Sequence, residues 1–168
     1  MTSCVDIDDD IDLGFDIQEL TERLLEAVCD AEKCPYEASI NVYVTHSDDV
    51  RVYNKQYRDI DATTDVLSFP ALDIVNGDFS GVEEDLPANF DPESGELILG
   101  DIVINVDRVY SQAEEDGHSV KREFAFLTAH SLYHLCGYDH ETEEEARIME
   151  EKQEETLNKL GITRESHV

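Results

Sequence analysis

The order of apolar and polar residues predicts strands and helices in alternation at the beginning of the chain. In residues 16–31 apolar side chains recur every three or four positions, which indicates an amphipathic helix with Asp16 as its cap. Residues 38–44, ASINVYV, alternate apolar and polar positions in the manner of a half-buried strand. The short run at residues 5–13 indicates a further strand. We therefore expect a strand, a helix and a second strand, in that order.

The middle of the chain predicts a helix, two strands and a long connection between the strands. Ser47 is suited to cap a helix that continues through Arg58. The first strand is residues 66–69, which a proline stops, and the apolar run at residues 97–106 is the second. Residues 71–96 carry eight acids, no bases and three glycines. We expect this connection to be an acidic surface insertion.

The last third of the chain predicts three helices. The first of them, residues 107–116, is polar, and the last, ETEEEARIMEEKQEETLNKLG, is amphipathic and strongly charged. Between them, residues 124–136 read FAFLTAHSLYHLC and hold no formally charged side chain besides any protonated histidine, which predicts a buried helix. The residues suited to begin or end these helices are Gly117, Ser119, Thr142 with Glu145 as a capping box, and Gly161.

Length and composition predict one domain. A chain of 168 residues with 40% hydrophobic content can bury a sizeable core, so we expect residues 1–168 to form a single domain. The first residues are acidic where a secretory signal would be basic and then apolar, and nowhere do 18 apolar residues run together. We therefore expect a cytoplasmic protein that has no membrane partner.

The cysteines predict free thiols. They stand at Cys4, Cys29, Cys34 and Cys136, a spacing that matches neither a paired CxxC zinc site nor a dense disulfide framework. Cys29 and Cys34 are close enough in sequence that a bridge between them stays open as an alternative. Nothing in the composition of the chain requires such a bridge.

The charge balance opposes extended contact with nucleic acid. Twelve basic and 41 acidic residues leave a formal net charge of -29, which repels RNA and anionic membranes at long range. Salt screens this field within about 8–10 Å at physiological ionic strength. A local cluster of basic side chains can therefore still dominate one site.

Three of the twelve basic residues form such a cluster on the helix predicted after Ser47. Arg51, Lys55 and Arg58 are spaced i, i+4 and i+7 and therefore share one face of that helix. Such a stripe is usually a solvated helix face. Because positive charge is scarce elsewhere in the chain, the stripe is also a candidate substrate-binding surface.

The stretch HSLYHLCGYDH, residues 130–140, has the spacing of a metal site. His130 and His134 are four residues apart, so on a helix their side chains lie on one face and can share an ion. Gly137 is suited to end the helix in the left-handed conformation and to bring His140 back toward the same ion. The alternative is a group of core histidines with ordinary hydrogen bonds, but a cation satisfies all three rings at once.

Three neutral nitrogen ligands leave one coordination position open, which is the arrangement of a catalytic zinc. We expect one Zn²⁺ per chain, and a water held by it would have its pKa lowered to about 7. Asp139, beside His140, is either a carboxylate that orients a histidine ligand or a polar turn residue.

The spacing HxxxHxxGxxH is also that of metzincin proteases, so metalloproteolysis is a serious hypothesis. Those proteases carry a glutamate directly after the first histidine as the general base, and in this chain that residue is Ser131. A serine hydroxyl cannot accept a proton near neutral pH. Peptide hydrolysis by that route would therefore lack a main participant.

The histidine motif and two blocks upstream resemble the YbeY family of bacterial rRNA maturation factors. The family's signature is a histidine, a glycine or serine, two further residues and HLxGYDH, which HSLYHLCGYDH matches. Residues 54–70, NKQYRDIDATTDVLSFP, resemble the family's NxxYR and TDVLSFP blocks, and residues 100–104 resemble its GDIVI strand. The blocks stand in the family's order and cover most of residues 54–140.

The resemblance implies an α+β fold with a four-stranded mixed sheet, about five helices and the metal-bearing helix at the centre. It implies a zinc-dependent endoribonuclease, specific for single strands, that matures the 3′ end of small-subunit rRNA and acts in ribosome quality control. The implied partners are ribosomal RNA and the small subunit or its assembly proteins. By motif position, the zinc ligands are His130, His134 and His140, and the functional arginine is Arg58.

These implied roles are chemically coherent. Phosphodiester cleavage develops negative charge on phosphate oxygens, which Zn²⁺ and a guanidinium can stabilise together. Arg51 and Lys55 could then guide the RNA backbone. The general base stays open between a hydroxide at the metal and an activated RNA 2′-hydroxyl. A non-catalytic ribosome-assembly factor, in which zinc mainly supports folding, is a third class of function.

Two features depart from the family pattern. Tyr133 stands where leucine is usual, which would add a hydroxyl near the site, and the insertion at residues 71–96 is longer than typical. Neither departure changes a proposed metal ligand.

Overall fold

The computed structural model describes residues 1–82 and 88–163. Within these ranges the chain forms four strands and five helices. Their bounds, in chain order, are β1 Thr2–Ile7, α1 Ile17–Ala31, β2 Ala38–Thr45, α2 Ser47–Arg58, β3 Val66–Pro70, β4 Leu97–Asn105, α3 Val106–Asp116, α4 Val120–Leu135 and α5 Glu143–Lys159.

The strands form one mixed sheet in the order β1, β2, β4, β3. β1 and β4 both run parallel to β2, with Val42 opposite Val5 on one side and opposite Ile102 on the other. β3 runs antiparallel to β4 and lies at the edge of the sheet. The expected α+β class, with a four-stranded mixed sheet and five helices, is confirmed.

Helix α4 lies centrally in the layer of helices on one face of the sheet. It contacts α1, α3 and α5 as well as strands β3 and β4. Its side chains Phe124, Leu132 and Leu135 are completely buried, and burying an apolar side chain of this size contributes about 1.5–3 kcal/mol. The apolar stretch in the sequence therefore does form a buried helix, and packing on several sides fixes its position.

Helix α2 packs on the opposite face of the sheet. Successive side chains of β4 point to opposite faces. Ile102 and Ile104 accordingly join the main core, whereas Val103 joins a small separate cluster with Val50 of α2 and Leu67 of β3. The edge strand β3 thus lies between α2 on one face and α4 on the other.

The start of α2 differs from the sequence prediction. Ser47 is the first helical residue, and its neighbour His46 occupies the capping position without a side-chain capping bond. The backbone N–H of Ser47 donates instead to the carboxylate of Asp107 at 2.9 Å, and the Ser47 hydroxyl bonds to the side chain of Asn105. A long-range contact with the start of α3 therefore replaces the local cap.

The first strand also differs from its predicted bounds. It begins at Thr2 and ends at Ile7, whereas the sequence suggested residues 5–13. A turn follows, in which the backbone N–H of Ile11 donates to the carbonyl of Asp8. Ile11 and Leu13 pack against the core from this turn, so apolar residues continue past the end of the strand.

The predicted N-cap residues of the last two helices are confirmed, and for Thr142 the observed bond is one of the two hydrogen bonds of the predicted capping box. The side chain of Ser119 accepts the backbone N–H of Arg122 at the start of α4, and that of Thr142 accepts the backbone N–H of Glu145 at the start of α5. Helix α3 begins one residue earlier than predicted, because the side chain of Asn105 caps it.

The connection between β3 and β4 is not purely a surface insertion. Four of its apolar side chains are buried in the main core, namely Leu72, Ile74, Phe79 and Val82. The backbone N–H groups of Asn76 and Gly77 donate to the carbonyls of Gly137 and Cys136, at 3.2 and 2.9 Å. Residues 71–82 therefore cover the end of α4, while residues 83–87 of the predicted insertion lie outside the described part of the chain.

Two further observations concern the cysteines and membranes. All four cysteines carry free thiols, as the sequence predicted. Among the described residues, no helix combines the length and the apolar character that crossing a bilayer requires.

Candidate metal centre

The three histidines of the motif converge at one end of α4. His130 and His134 lie on the same face of the helix, and their Nε2 atoms are 3.1 Å apart. The chain then turns, and a ring nitrogen of His140 comes within 4.8 Å of the ligand atoms of both. Two nitrogens that share a tetrahedral zinc at about 2.0–2.1 Å are about 3.3–3.4 Å apart. The spacing of His130 and His134 is close to that value.

The backbone carbonyl of Tyr138 sets the orientation of one of these rings. Nδ1 of His134 lies 2.9 Å from the Tyr138 oxygen, and a carbonyl can only accept, so Nδ1 carries the proton. The lone pair of His134 is therefore on Nε2, which points toward His130. A metal-binding histidine commonly has its other nitrogen held in this way. The sequence motif gave no sign of this carbonyl, because only the turn after Leu135 brings it back to the helix.

The surroundings favour the neutral form of the rings of His130 and His134, which is the form that binds a metal. Burial lowers the pKa of His130 to about 4, with smaller contributions from His134 and His140. Burial also lowers the pKa of His134, and the positive charge of Arg58 acts in the same direction. Three nitrogen donors, with no fourth protein ligand grouped with them among the described residues, fit zinc in an open, catalytic type of site.

A cleft of about 740 Å³ opens beside the three histidines. β3 and the residues before it form one wall, and the turn after α4 forms the other. Arg58, at the end of α2, lines the same cleft. Its guanidinium donates to the backbone carbonyl of Ser68 and lies 5.2 Å from the ring centre of Phe69. The structure therefore brings Arg58 and the three histidines together, although they are far apart in sequence.

Arg51 and Lys55 lie outside this cleft. Both are exposed on α2, and both face Asp61: Nε of Arg51 is 2.8 Å from its carboxylate and Nζ of Lys55 is 4.0 Å from it. Asp61 follows α2 in a loop that the helical pattern did not include. Of the three residues of the basic stripe, therefore, only Arg58 lies beside the histidines.

Ser131, which occupies the glutamate position of the metzincin pattern, is completely buried. Its hydroxyl is 2.9 Å from that of Ser68 on β3. This pair ties α4 to the edge strand whose carbonyl holds Arg58. The sequence analysis did not predict a role for Ser68. Ser68 is the one polar residue in the run VLSFP, and a polar residue in an apolar strand often makes a specific hydrogen bond.

Asp139 and Tyr133 have local roles in the structure. The carboxylate of Asp139 accepts the backbone N–H of His140 at 2.8 Å and lines the cleft, so it helps to fix the turn. Tyr133 is buried, and its hydroxyl is 2.7 Å from that of Thr156 on α5. The expectation of an additional hydroxyl near the site is therefore wrong, because the ring of Tyr133 points toward α5.

Replacing Gly137 with alanine is expected to destabilise the protein strongly. Gly137 has φ +91°, and a Cβ atom there would lie 1.9 Å from the carbonyl oxygen of Ile74. We expect a loss of about 3 kcal/mol or more in the free energy of unfolding. Gly117→Ala is a matched control, because Gly117 has φ +70° but nothing within 4 Å of an added Cβ, and about 1 kcal/mol is expected there. Urea unfolding measures both losses. If Gly137→Ala and Gly117→Ala lowered the free energy of unfolding equally, the proposed clash with Ile74 would be contradicted.

Two other groups of ligand-type side chains occur in the described part of the chain. One contains Asp8, Asp10 and His46, and the other contains Asp116, His118 and Glu123. In both groups the histidine already pairs with carboxylates: His46 with Asp10 at 2.8 Å, and His118 with Glu123 at 3.2 Å. These contacts account for both groups without an ion.

Comparison with known proteins agrees with the motif. A family model described as Endoribonuclease YbeY matches residues 5–161. The Endoribonuclease YbeY of Lachnoclostridium phytofermentans is 48% identical over 165 residues, which cover 98% of this chain and 100% of that protein. That of Lachnospira eligens is 47% identical over 169 residues, with the same coverage of both chains.

A similar fold is found among solved structures. The solution structure of TM1509 from Thermotoga maritima matches with a TM-score of 0.54 and covers 95% of this chain and 91% of that one. At 21% identity this likeness supports the fold alone. The family match, by contrast, extends over nearly the whole chain and includes the histidine motif. On the strength of that match and of the two relatives, the chain belongs to the endoribonuclease YbeY family.

Proposed function

We propose that this protein is a zinc-dependent endoribonuclease, specific for single strands, that matures the 3′ end of small-subunit rRNA and acts in ribosome quality control. As a member of an endoribonuclease family it is a nuclease and therefore a hydrolase. The proposal further includes one Zn²⁺ per chain, a cytoplasmic location, and the small ribosomal subunit or its assembly proteins as partners. The observation that carries it is the shared cleft of the three histidines and Arg58.

Each residue of the cleft has a proposed task. His130, His134 and His140 hold the metal through ring nitrogens, and the Tyr138 carbonyl keeps His134 in the required tautomer. When bound, zinc supplies a Lewis acid that polarises a phosphate oxygen and activates a nucleophile. Arg58 has five N–H donors, of which one is committed to the Ser68 carbonyl. The guanidinium can thus bind a phosphate while the edge strand holds it in place.

The surroundings of Ser131 favour the nuclease over the protease. A metzincin needs a carboxylate at this position as its general base. Here the side chain is buried against Ser68 and cannot accept a proton at neutral pH. An RNA strand offers an internal nucleophile, the ribose 2′-hydroxyl beside each phosphodiester, and negative charge for Arg58 to neutralise. The cleft is therefore better equipped for RNA than for a peptide.

A comparison of substrates tests this function. We expect the zinc-loaded protein to cleave unstructured RNA at least about tenfold faster than the same RNA in a duplex, because a duplex is too stiff to enter the cleft. Unstructured casein should stay intact. A chelator should abolish cleavage, and added zinc should restore it. Cleavage of casein would favour the metalloprotease. If both substrates survive while the chelator lowers the melting temperature, zinc has only a structural role.

The proposed role in rRNA maturation requires a separate test with a ribosomal substrate. Precursor small-subunit rRNA, free and within assembled subunits, would be incubated with the protein and its 3′ end mapped. We expect cleavage near the mature end to be more efficient in the assembled particle, because the net charge of -29 disfavours capture of free RNA. Cleavage that is equal or random in both substrates would contradict a ribosomal role.

A further inference from the structure

A groove lined by aromatic rings lies on the face of the sheet opposite α4. We call it the aromatic groove and define it by Tyr43 of β2, Tyr53 and Tyr57 of α2, and Phe69 of β3. Its volume is about 690 Å³. Tyr57 is 61% exposed, so much of its ring is open to solvent although the ring also contacts its neighbours. The groove is thus an accessible surface of rings between the sheet and α2.

The four rings form a continuous row. The ring centres of Tyr43 and Tyr53 are 6.0 Å apart, those of Tyr53 and Tyr57 are 6.1 Å apart, and those of Tyr57 and Phe69 are 5.6 Å apart. Tyr53 and Tyr57 are stacked with an angle of 13° between their planes. Contacts among the rings hold them in place before any ligand arrives, so that little side-chain entropy is lost on binding.

The row of rings ends beside the cleft that Arg58 and the three histidines line. The guanidinium of Arg58 lies 5.2 Å from the ring centre of Phe69, the last ring of the row. The same arginine lines the cleft with the three histidines. The edge strand β3 separates the two surfaces: Phe69 faces the groove, and Ser68 faces α4. A flexible chain could pass around this edge beside Arg58 and occupy both surfaces.

The charges of the groove favour nucleic-acid bases over phosphates. Asp6 and Asp101 line it, and Asp101 accepts a hydrogen bond from the side-chain amide of Asn41 at 2.9 Å. Carboxylates repel phosphates but accept hydrogen bonds from the amino groups of bases. Bases also stack on aromatic side chains, which is the common mode of single-strand recognition on a sheet. Bases would therefore point into the groove while the phosphates remain in solvent.

We propose that the aromatic groove binds two or three unpaired bases of the RNA strand whose adjacent phosphate lies at Arg58. This proposal rests on the proposed nuclease function and identifies where its substrate is held. It also provides a physical reason for single-strand specificity, since paired bases cannot stack on protein rings.

Binding of an RNA whose 2′-hydroxyl groups are blocked, and which is checked by electrophoresis to stay intact during the titration, tests the groove directly. A fluorescently labelled 2′-O-methyl RNA of about ten unpaired nucleotides would be titrated with the zinc-loaded protein, and the dissociation constant obtained from anisotropy. Tyr57→Ala should weaken binding about tenfold, because it removes one stacking surface. Tyr57→Phe keeps the ring and should change binding less than about twofold. Tyr110→Ala removes another exposed tyrosine, on α3 and away from the groove, and should leave binding unchanged.

Cleavage kinetics give a second readout. For a long RNA, Tyr57→Ala should raise KM about tenfold and leave kcat unchanged, because the groove holds the strand without touching the reacting atoms. For a dinucleotide, which fills only the cleft, the variant should behave like the wild type. A merely structural effect would lower kcat and change both substrates equally, which would overturn the proposal.

The outcomes separate the groove from the nuclease function. If the wild type cleaves RNA and Tyr57→Ala binds and cleaves as well as the wild type, the groove proposal fails while the nuclease stands. If RNA binding depends on Tyr57 but no RNA is cleaved, the nuclease proposal fails while the groove stands. If a lysine-rich peptide binds in a Tyr57-dependent manner and the RNA does not, the groove is a protein-binding surface and the proposal is overturned.

Discussion

Replacing His134 with alanine is expected to abolish zinc binding and RNA cleavage together. His134 supplies one of three converging ring nitrogens, and two remaining ligands hold zinc far more weakly. We expect the zinc content to fall from about one per chain to nearly none. A ligand present at about 100 times its dissociation constant stabilises a protein by about 2.7 kcal/mol. The chelator-induced drop in melting temperature should therefore be clear in the wild type and absent in His134→Ala.

His118→Ala is the matched control for this experiment. Like His134, His118 is a partly buried histidine. Unlike His134, it lies beside two carboxylates, those of Asp116 and Glu123, and belongs to their group. This variant should keep its zinc and its cleavage activity. If His118→Ala lost its zinc and His134→Ala kept it, the metal would have to be assigned to the group of Asp116, His118 and Glu123. Metal analysis by mass spectrometry, together with thermal unfolding, distinguishes these cases.

Replacing Arg58 with alanine is expected to leave the zinc in place and to lower kcat/KM for single-stranded RNA by about 10²–10³-fold, which corresponds to about 2.7–4 kcal/mol of transition-state stabilisation. The guanidinium lines the cleft and is fixed by the Ser68 carbonyl, so its contribution is preorganised. Arg58→Lys keeps the charge but loses the two-pronged geometry, and it should recover only part of the rate. Single-turnover kinetics with zinc-loaded protein measure the effect on the chemical step.

Arg147→Ala controls for the loss of one positive charge in a very acidic protein. Arg147 is exposed on α5, where it pairs with Glu151 at 2.9 Å, and its removal should not change the rate. Removing Arg58 also removes a positive charge that lowers the pKa of His134. The pKa of His134 should then rise, so protons should compete with zinc at a slightly higher pH in Arg58→Ala. Equal rates for the Arg58 variants and the wild type would remove this residue from the mechanism.

Local patterns predicted the elements that depend on neighbouring residues. The apolar stretch at residues 124–136 predicted a buried helix because such a helix has no side suited to water. The i, i+4 spacing of His130 and His134 predicted that their side chains share a face, and the structure brings His140 to the same place. These predictions succeed because the relevant contacts are close in sequence.

Other features depend on which segments meet in space, which no local pattern contains. The basic stripe on α2 was a regular pattern, yet only Arg58 lines the cleft, and Arg51 and Lys55 face Asp61 on the exposed surface of the helix. The contact between Ser68 and Ser131 requires β3 to lie against α4. The acidic composition of residues 71–96 hid four apolar side chains that are irregularly spaced in residues 71–82, and the core buries all four.

The histidines and Arg58 also differ in how they depend on folding. His130, His134 and His140 lie within residues 130–140, so bringing them together closes only a short loop and costs little chain entropy. The position of Arg58 beside them depends on the pairing of β3 with β4 and on the packing of β3 against α4, which join segments far apart in sequence. A partly folded chain could therefore hold the metal before it can act on RNA. Zinc retention would then report on one helix and its turn, whereas activity would report on the completed fold.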